Sequence, residues 1–441
     1  MKTIKSLIAC VLGIFVIGAC SSQSTQKKIV DEAQIKKYLS EQQFTENSGL
    51  TDVQKNISFW KDQLSDDPGS MTNRGKLAAA YSSRFGITKD INDLHRADSL
   101  YNIVIEQAGG RTPGNLQALA QTAITKHDFK SALKYSQQAL EIGDEKEASL
   151  LLLFDSMMET GDYELAKKNL HRLKNEHNFG YMIRKSKYKD YEGQLDSAIT
   201  YMEKASKLVD HDNNVFAWSL SNLGDMYGHA GNVQKSYNTY LEVLKAENSR
   251  ASYLHVLKGI AWIAYAHDRN LDFAREVLRF VKEQSMSPDV HLTLAEIAEF
   301  NGNQEKKTMH LQTFTEEAQK AAYLGMYNSY LIDLAITESE DFDRAQKLIS
   351  KELNNRSTPQ IYDLKAWMHF HQGNHQKALK IVQERVEGQA HEPVPAYHMA
   401  KIYQANGMKD KARKNYEQLL EGSFELGPVT TNDINQQLSK L

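Results

Sequence analysis

A small residue returns along this chain at an interval close to 34. Ala97, Ala132, Ala166, Ala198, Ser236, Ala274, Lys307, Ala345, Ala378 and Ala412 are separated by intervals of 35, 34, 32, 38, 38, 33, 38, 33 and 34, with Lys307 the one large side chain in the series. Five residues before that position six of the units carry a glycine: Gly161, Gly193, Gly231, Gly302, Gly373 and Gly407. On either side the apolar residues recur at three- and four-residue spacing, the period of a half-buried helix. A glycine between two such stretches permits the positive φ that ends one helix and lets the next begin. A single unit of this kind cannot bury its own apolar face, whereas stacked units bury a continuous one, so the period predicts an all-α array. At 441 residues the chain exceeds the size of a single core, and only 7 prolines leave long stretches free to be helical.

The unit that shows the pattern most fully runs Trp218-Ser-Leu-Ser-Asn-Leu-Gly-Asp-Met-Tyr227, then Gly231, Ser236, Tyr240 and Leu244. Ala400-Lys-Ile-Tyr403 with Gly407, Ala412, Tyr416 and Leu420, and Ala366 with Gly373, Ala378 and Leu379, repeat it. These units resemble the tetratricopeptide repeat (TPR) family, whose repeat is about 34 residues long. The resemblance covers residues 70–421. It implies an α-solenoid of about nine to ten helix pairs wound as a right-handed superhelix. Lys307 and Asp333 stand where the family pattern has small residues, which implies looser or shifted packing there. Upstream, Ile57, Trp60 and Leu64 at helical spacing before Pro68 give residues 51–69 the look of an N-terminal capping helix. Residues 422–441, with Ile434 and Leu438 four apart, read as a C-terminal capping segment.

The resemblance further implies a concave surface lined by the first helix of each pair, where a protein or peptide partner would lie. By analogy with the family, its second, fifth, ninth and twelfth positions face inward. That register gives Trp218, Asp225, Tyr327, Tyr330, Asp363, Trp367, Phe370, Tyr397 and Lys401 as candidate groove residues. Aromatic groups suit the anchoring of apolar side chains, but the same residues also suit packing between repeats, and which of them meet a ligand stays open.

The first residues carry a separate message. Met1 to Lys5 form a short basic region, and the stretch from Ser6 to Ala19 is largely apolar. That stretch is shorter than the roughly 20 residues a membrane-spanning helix needs, so residues 1–19 read as a cleaved signal peptide. Ile17-Gly18-Ala19-Cys20 resembles a lipobox, which implies that Cys20 is the lipidated residue and that the membrane is reached through a lipid anchor. The polar run after it, Ser21 to Lys28, begins a tether assigned to residues 20–50. Ser21 rather than an aspartate follows the cysteine. By resemblance to Gram-negative sorting this implies the bacterial cell envelope, at the outer membrane and facing the periplasm, with surface exposure left open. Cys10 and Cys20 are the only cysteines, so the body of the chain has no disulfide framework.

Charge excludes one class of partner. The 53 Lys and Arg less Lys2 and Lys5 leave 51 against 56 acidic residues, about −5 after removal of the leader, and the cations are interleaved with Asp and Glu. No basic stripe for nucleic acid is present. His369, His371 and His375 form the one histidine cluster, but residues two apart on a helix point about 200° apart, so no metal site is expected. Phosphate-loop, nucleophile-elbow and H-E-x-x-H motifs are lacking, and neither cofactor nor catalytic residue is assigned. The expected function is a lipid-anchored scaffold for protein–protein interaction in the envelope rather than an enzyme. The alternative is a lipoprotein that captures glycan or peptide for an outer-membrane transporter.

Overall fold

The computed structural model describes residues 27–144, 146–211, 214–246, 249 and 251–441. The leader, Cys20 and the start of the tether lie outside these. Among the described residues the secondary structure is entirely helical. Three helices lead, α1 (Glu32–Lys36), α2 (Glu41–Ser48) and α3 (Leu50–Asp66). Ten helix pairs follow: α4 (Met71–Thr88) with α5 (Ile91–Gln107), α6 (Pro113–Thr125) with α7 (Phe129–Ile142), α8 (Lys146–Thr160) with α9 (Tyr163–Arg172), α10 (Phe179–Tyr191) with α11 (Leu195–Ser206), and α12 (Asn214–His229) with α13 (Val233–Lys245). The sixth to tenth are α14 (Ser252–Ala266) with α15 (Leu271–Gln284), α16 (Val290–Phe300) with α17 (Gln304–Ala318), α18 (Asn328–Thr337) with α19 (Phe342–Asn355), α20 (Pro359–His371) with α21 (His375–Arg385), and α22 (Pro393–Ala405) with α23 (Lys409–Glu421). α24 (Ser423–Leu438) closes the chain. The fold is an all-α solenoid of TPR type.

The geometry of each pair comes from two positions. In nine of the ten turns the residue five before the small one has positive φ: the six glycines, together with His127, Arg269 and Glu340 at 57°, 56° and 49°. In the first turn the positive-φ residue is Lys89, eight before Ala97. The residue after it commonly caps the second helix. Asp128, Asn232, Asn270, Asn303 and Asp341 each accept the N–H three residues on, satisfying a donor the helix would otherwise leave open. The small residues are the points of closest approach. Ala97, Ala132, Ala166, Ala198, Ala274, Ala345, Ala378 and Ala412 are wholly inaccessible and Ser236 nearly so.

Lys307 departs from this without opening the pair, because its stem is buried and its ammonium reaches Glu299 (3.1 Å) and Glu338 (2.9 Å). Asp333 is accommodated differently. Burial raises its carboxyl above the ordinary range, Asp363 adds to the rise, and His398 opposes it. Between the fifth and sixth pairs the closest packing surrounds Tyr240. A Cβ on Gly224 or Gly259 would stand 2.4 Å or 2.6 Å from its ring, so two glycines clasp the two sides of one tyrosine.

The array closes on itself. Each of the first five turns meets the connection lying five to six pairs further along. Met286 N–H donates to Thr88 O (2.8 Å), and Tyr323 packs with Phe85, Ile91 and Leu94. Asn355 donates to His127 O (2.7 Å) and accepts from Phe129 N–H (3.1 Å). Ser357 N–H donates to Thr160 O (3.4 Å). His391 lies against Gly193, and Phe424 against Gly228, 2.9 and 3.0 Å from where a Cβ on each glycine would stand. Consecutive turns of the superhelix therefore touch along a continuous seam.

Residues 27–50 do not behave as the free tether expected of them. Ile29 and Val30 N–H donate to the Asp268 carboxylate (2.9 and 2.8 Å), Asp31 N–H to Tyr237 Oη (3.0 Å), and Tyr253 Oη donates to Tyr38 O (2.8 Å). Ile35 and Phe44 are buried. The polar composition of the segment hid these apolar residues, which dock across the fifth and sixth pairs. At the other end α24 bends at Gly427 (φ 76°) before Pro428, and buries Ile434 against the last pair.

The strained turns give a direct test. Glu340 is exposed and holds the left-handed conformation without glycine's freedom, so Glu340→Gly should raise the unfolding free energy by about 0.5–1 kcal/mol. Gly407→Ala, where an added Cβ meets nothing within 4 Å, should lower it by about 1 kcal/mol through the backbone alone. Urea denaturation of the two variants measures both signs.

Candidate functional site

Eleven residues before the small residue, on the first helix of each pair, stands a row that includes Gln121, Asp155, Lys187 and Asp225. In the second to fifth pairs these four side chains line one cavity of about 730 Å³. Its apolar wall is Phe179, Ile183, Met202, Trp218 and Met226. Trp218 is 39% exposed. Its ring meets Phe179 edge to face with centroids 6.4 Å apart. A large indole held open beside a second aromatic ring, in a recess of ligand size, is the arrangement of a binding pocket.

Most charges in the wall are already paired. Arg184 binds Asp155 (2.5 Å) and Leu151 O (3.0 Å), and Lys187 binds Glu159 (2.8 Å). Burial alone would raise the Glu159 carboxyl, but Lys187, helped by Arg356 and His127, outweighs it and holds the group below its ordinary range. Asp225 accepts from Tyr240 Oη and lies 2.8 Å from His255 Nε2. The Asp190 carboxylate has no hydrogen-bond partner among the described residues, although its backbone carbonyl accepts from Gly193 N–H (2.8 Å). Burial raises its carboxyl, with Glu392 adding to the rise and His229 opposing it.

Three smaller cavities adjoin across shared walls. One of about 410 Å³ lies between Asp190, His229, His391, Glu392 and Glu425. A second, about 290 Å³, is bounded by Asp225, His229, Trp262 and Phe424. The third, about 350 Å³, runs from Trp218 to Lys89, Lys258 and Asp289. The seam supplies walls to all three, since Glu392, Phe424, Glu425 and Lys89 reach these cavities only because successive turns touch.

The residues expected in a groove separate into three groups. Trp218 and Asp225 share the central cavity. Tyr327 and Tyr330 lie in the eighth pair, both packed edge to face on Phe314, with Tyr330 half-exposed and Tyr327 Oη 3.1 Å from Ser287 Oγ. The other five belong to the last pairs. Trp367 is buried, stacked between Phe370 (4.9 Å) and His398 (4.0 Å), and buried Asp363 holds His398 Nδ1 at 2.8 Å. Tyr397 Oη (2.6 Å) and Lys401 Nζ (3.1 Å) both donate to Asp433 of α24. Those side chains are committed to packing and to holding the terminal helix. Of the histidine cluster, His369 contacts Gln372, His371 lies against Trp367 and His375 stacks on Phe370. Among the described residues no group of three potential ligands converges on a metal, and no helix is long and apolar enough to cross a membrane.

Phe179, Ile183, Lys187, Asp190, Met202 and His229 were not foreseen as site residues. A signal for one was present. A step back from Asp225, equal to the interval between Ser236 and Ala198, lands on Lys187, and the next two repeat intervals land on Asp155 and Gln121. Nothing in the spacing signals the residues supplied across the seam.

No protein-family profile matches the chain, and no curated protein does. Solved structures do. Human IFIT1, solved as a dimer with PPP-AAAA, is 14% identical over 84% of this chain and 77% of its own, with a TM-score of 0.48. The APC/C Cut9–Hcn1 hetero-tetramer gives 13%, 84%, 74% and 0.45. Rap protein, complexed with competence and sporulation factor, gives 14%, 62%, 86% and 0.44. At this distance nothing about ligand or partner transfers from them.

One member of the eleven-residue row reports on the seam. Glu296 receives a hydrogen bond from Tyr265 Oη (3.2 Å) and lies under Gly427 of α24. Burial raises its carboxyl to about 7. The folded chain thus keeps a proton that the unfolded chain loses near pH 4.5, and stability falls as pH rises between about 4.5 and 7. Glu296→Gln should remove that component and stabilise the protein at pH 8 by roughly 1–2 kcal/mol. Unfolding curves at pH 5 and pH 8 compare the two proteins.

Proposed function

We propose that this chain is a scaffold of the bacterial cell envelope that holds a segment of a partner protein in the cavity between the first helices of its second to fifth pairs. The observation that carries this reading is Trp218, an exposed indole beside Phe179 in a recess of about 730 Å³ whose cations are already neutralised from within. Side chains exposed to this degree in an otherwise dense array contribute little to stability, and central aromatic groups commonly dominate binding energy. An extended peptide fits such a recess because its own backbone donors meet the polar row while its apolar side chains meet the wall. Capture from detergent-solubilised envelopes, with the full chain as bait, tests the reading. A defined partner should be retained by the wild type and lost, by about tenfold or more, with Trp218→Ala and Phe179→Ala. The Trp367→Ala variant is not a useful probe, since it would empty a packed stack. Retention that ignores both cavity substitutions would overturn the reading.

Anchoring is the second part of the proposal. The basic start, the apolar stretch and Ile17-Gly18-Ala19-Cys20 support lipidation of Cys20 and placement at the outer membrane. Cells fed radiolabelled palmitate should label the wild type, whereas Cys20→Ser should be unlabelled and move from the membrane pellet to the soluble fraction. A Cys20→Ser protein that stays lipid-labelled and sedimenting would overturn it.

A further inference from the structure

The cavities along α12 differ in charge from one end to the other, and this polarity specifies a ligand. At the Trp218 end stand Lys89 and Lys258 with a single carboxylate, Asp289, which Lys258 already binds at 2.6 Å. The Lys89 ammonium, largely buried, has Gly86 O (2.8 Å) as its hydrogen-bond acceptor and pairs with no carboxylate among the described residues. Burial, reinforced by Lys258, pulls it down to about 8, and Asp289, already bound to Lys258, only partly opposes the shift. Hydroxyls of Ser221, Ser252 and Ser287 share that wall.

At the His229 end the balance is reversed. Asp190, Glu392 and Glu425 come from α10, from the connection before α22 and from α24, and the facing bases are His229, 3.8 Å from Glu425, and His391. Burial raises the carboxyls of Asp190 and Glu425, His229 opposes the rise at both, Glu392 adds to both, and Asp190 adds to the rise at Glu425. These acids are thus short of cations, as Lys89 is short of an anion. Trp218 and His229 are eleven residues apart on α12, about 16 Å along a helix. An extended chain covers that distance in about five residues.

We propose that the site takes an extended peptide of about five residues, oriented by its charges. A carboxylate is received between Lys89 and Lys258, an apolar side chain rests against Trp218 and Phe179, and a lysine or arginine reaches Asp190 and Glu425. This rests on the reading of the cavity as a peptide site and adds the class of sequence it accepts. The polarity has a physical consequence. A peptide of reversed charge order can bind only in the opposite chain direction, and a peptide without charges leaves two buried charge imbalances in place.

The test uses two heptapeptide pools randomised at every position, one with free C-terminal carboxylates and one amidated. Each is offered to the immobilised chain, residues 20–441, and the bound fraction is sequenced by mass spectrometry. The free-acid pool should be enriched about tenfold in peptides with Lys or Arg four or five residues before the carboxylate and an apolar residue between. The amidated pool should be retained only where an Asp or Glu replaces that carboxylate. Glu425→Gln, at a partly exposed position, and the Asp190→Asn/Glu425→Gln double substitution should each erase the basic preference and keep the acidic one. Lys89→Met should do the converse. Far-ultraviolet dichroism establishes that each variant stays helical, and the single Glu425→Gln change carries the basic arm if the double variant unfolds. Retention that depends on Trp218 but shows no charge pattern would overturn this inference and leave peptide binding intact. If neither the wild type nor Trp218→Ala retains any peptide, the reading beneath it falls as well.

Discussion

The structure depends on one contact made in nine of its ten pairs, the approach of two helices across a residue too small to keep them apart. Where that residue is alanine its burial is complete, and in every pair but the first the residue five before the small position has positive φ, which lets the second helix return along the first. Everything larger follows from the angle this sets. Successive pairs pack on one another, and the first helices of the second to fifth pairs come to face one cavity. The places where the rule is broken show how strongly it holds. Lys307 fills the small position only by extending to two carboxylates, and His127, Arg269 and Glu340 accept left-handed backbone rather than alter the turn.

Winding alone would give an open groove. The seam changes that, because each of the first five turns is met by a connection from the next superhelical turn, and the N-terminal segment is strapped to the fifth and sixth pairs through Asp268. Cavities that would be exposed grooves on a short array thus acquire a second wall. Glu392, Glu425 and Phe424 on one side and Lys89 on the other lie far from Trp218 in sequence, yet border the same run of space. A closed array of this sort couples binding to packing, since a ligand between the turns touches residues that also hold the turns together.

The period and the helix pairs were legible in the sequence because they are local. The small residue, the turn and the apolar spacing all fall within a single repeat, and the structure places ten pairs where those marks stand. That Trp218 and Asp225 share one face of their helix was legible for the same reason, as both belong to one repeat register, and both line the central cavity. Extending that register across pairs could not show that Trp367 would be buried, because its environment is set by His398 from the next pair and not by its own helix. The acidic and basic ends were beyond reach, since they form only when positions far apart in the chain come together, as Asp190 and Glu392 do. The fold of residues 27–50 was missed on composition. A few apolar side chains, Ile35 and Phe44 among them, suffice to dock a segment that otherwise looks soluble.

The four tryptophans give the most direct test of the claim that the first-helix cavity is where a partner binds. In protein labelled with 5-fluorotryptophan, Trp60, Trp218, Trp262 and Trp367 each yield a fluorine resonance, assigned by single substitution to phenylalanine. Titration with a peptide retained by the immobilised protein should move the Trp218 resonance most, with a smaller change at Trp262 in the adjoining cavity, while Trp60 and the stacked Trp367 stay in place. A peptide that binds and shifts Trp60 or Trp367 while leaving Trp218 unmoved would contradict the account.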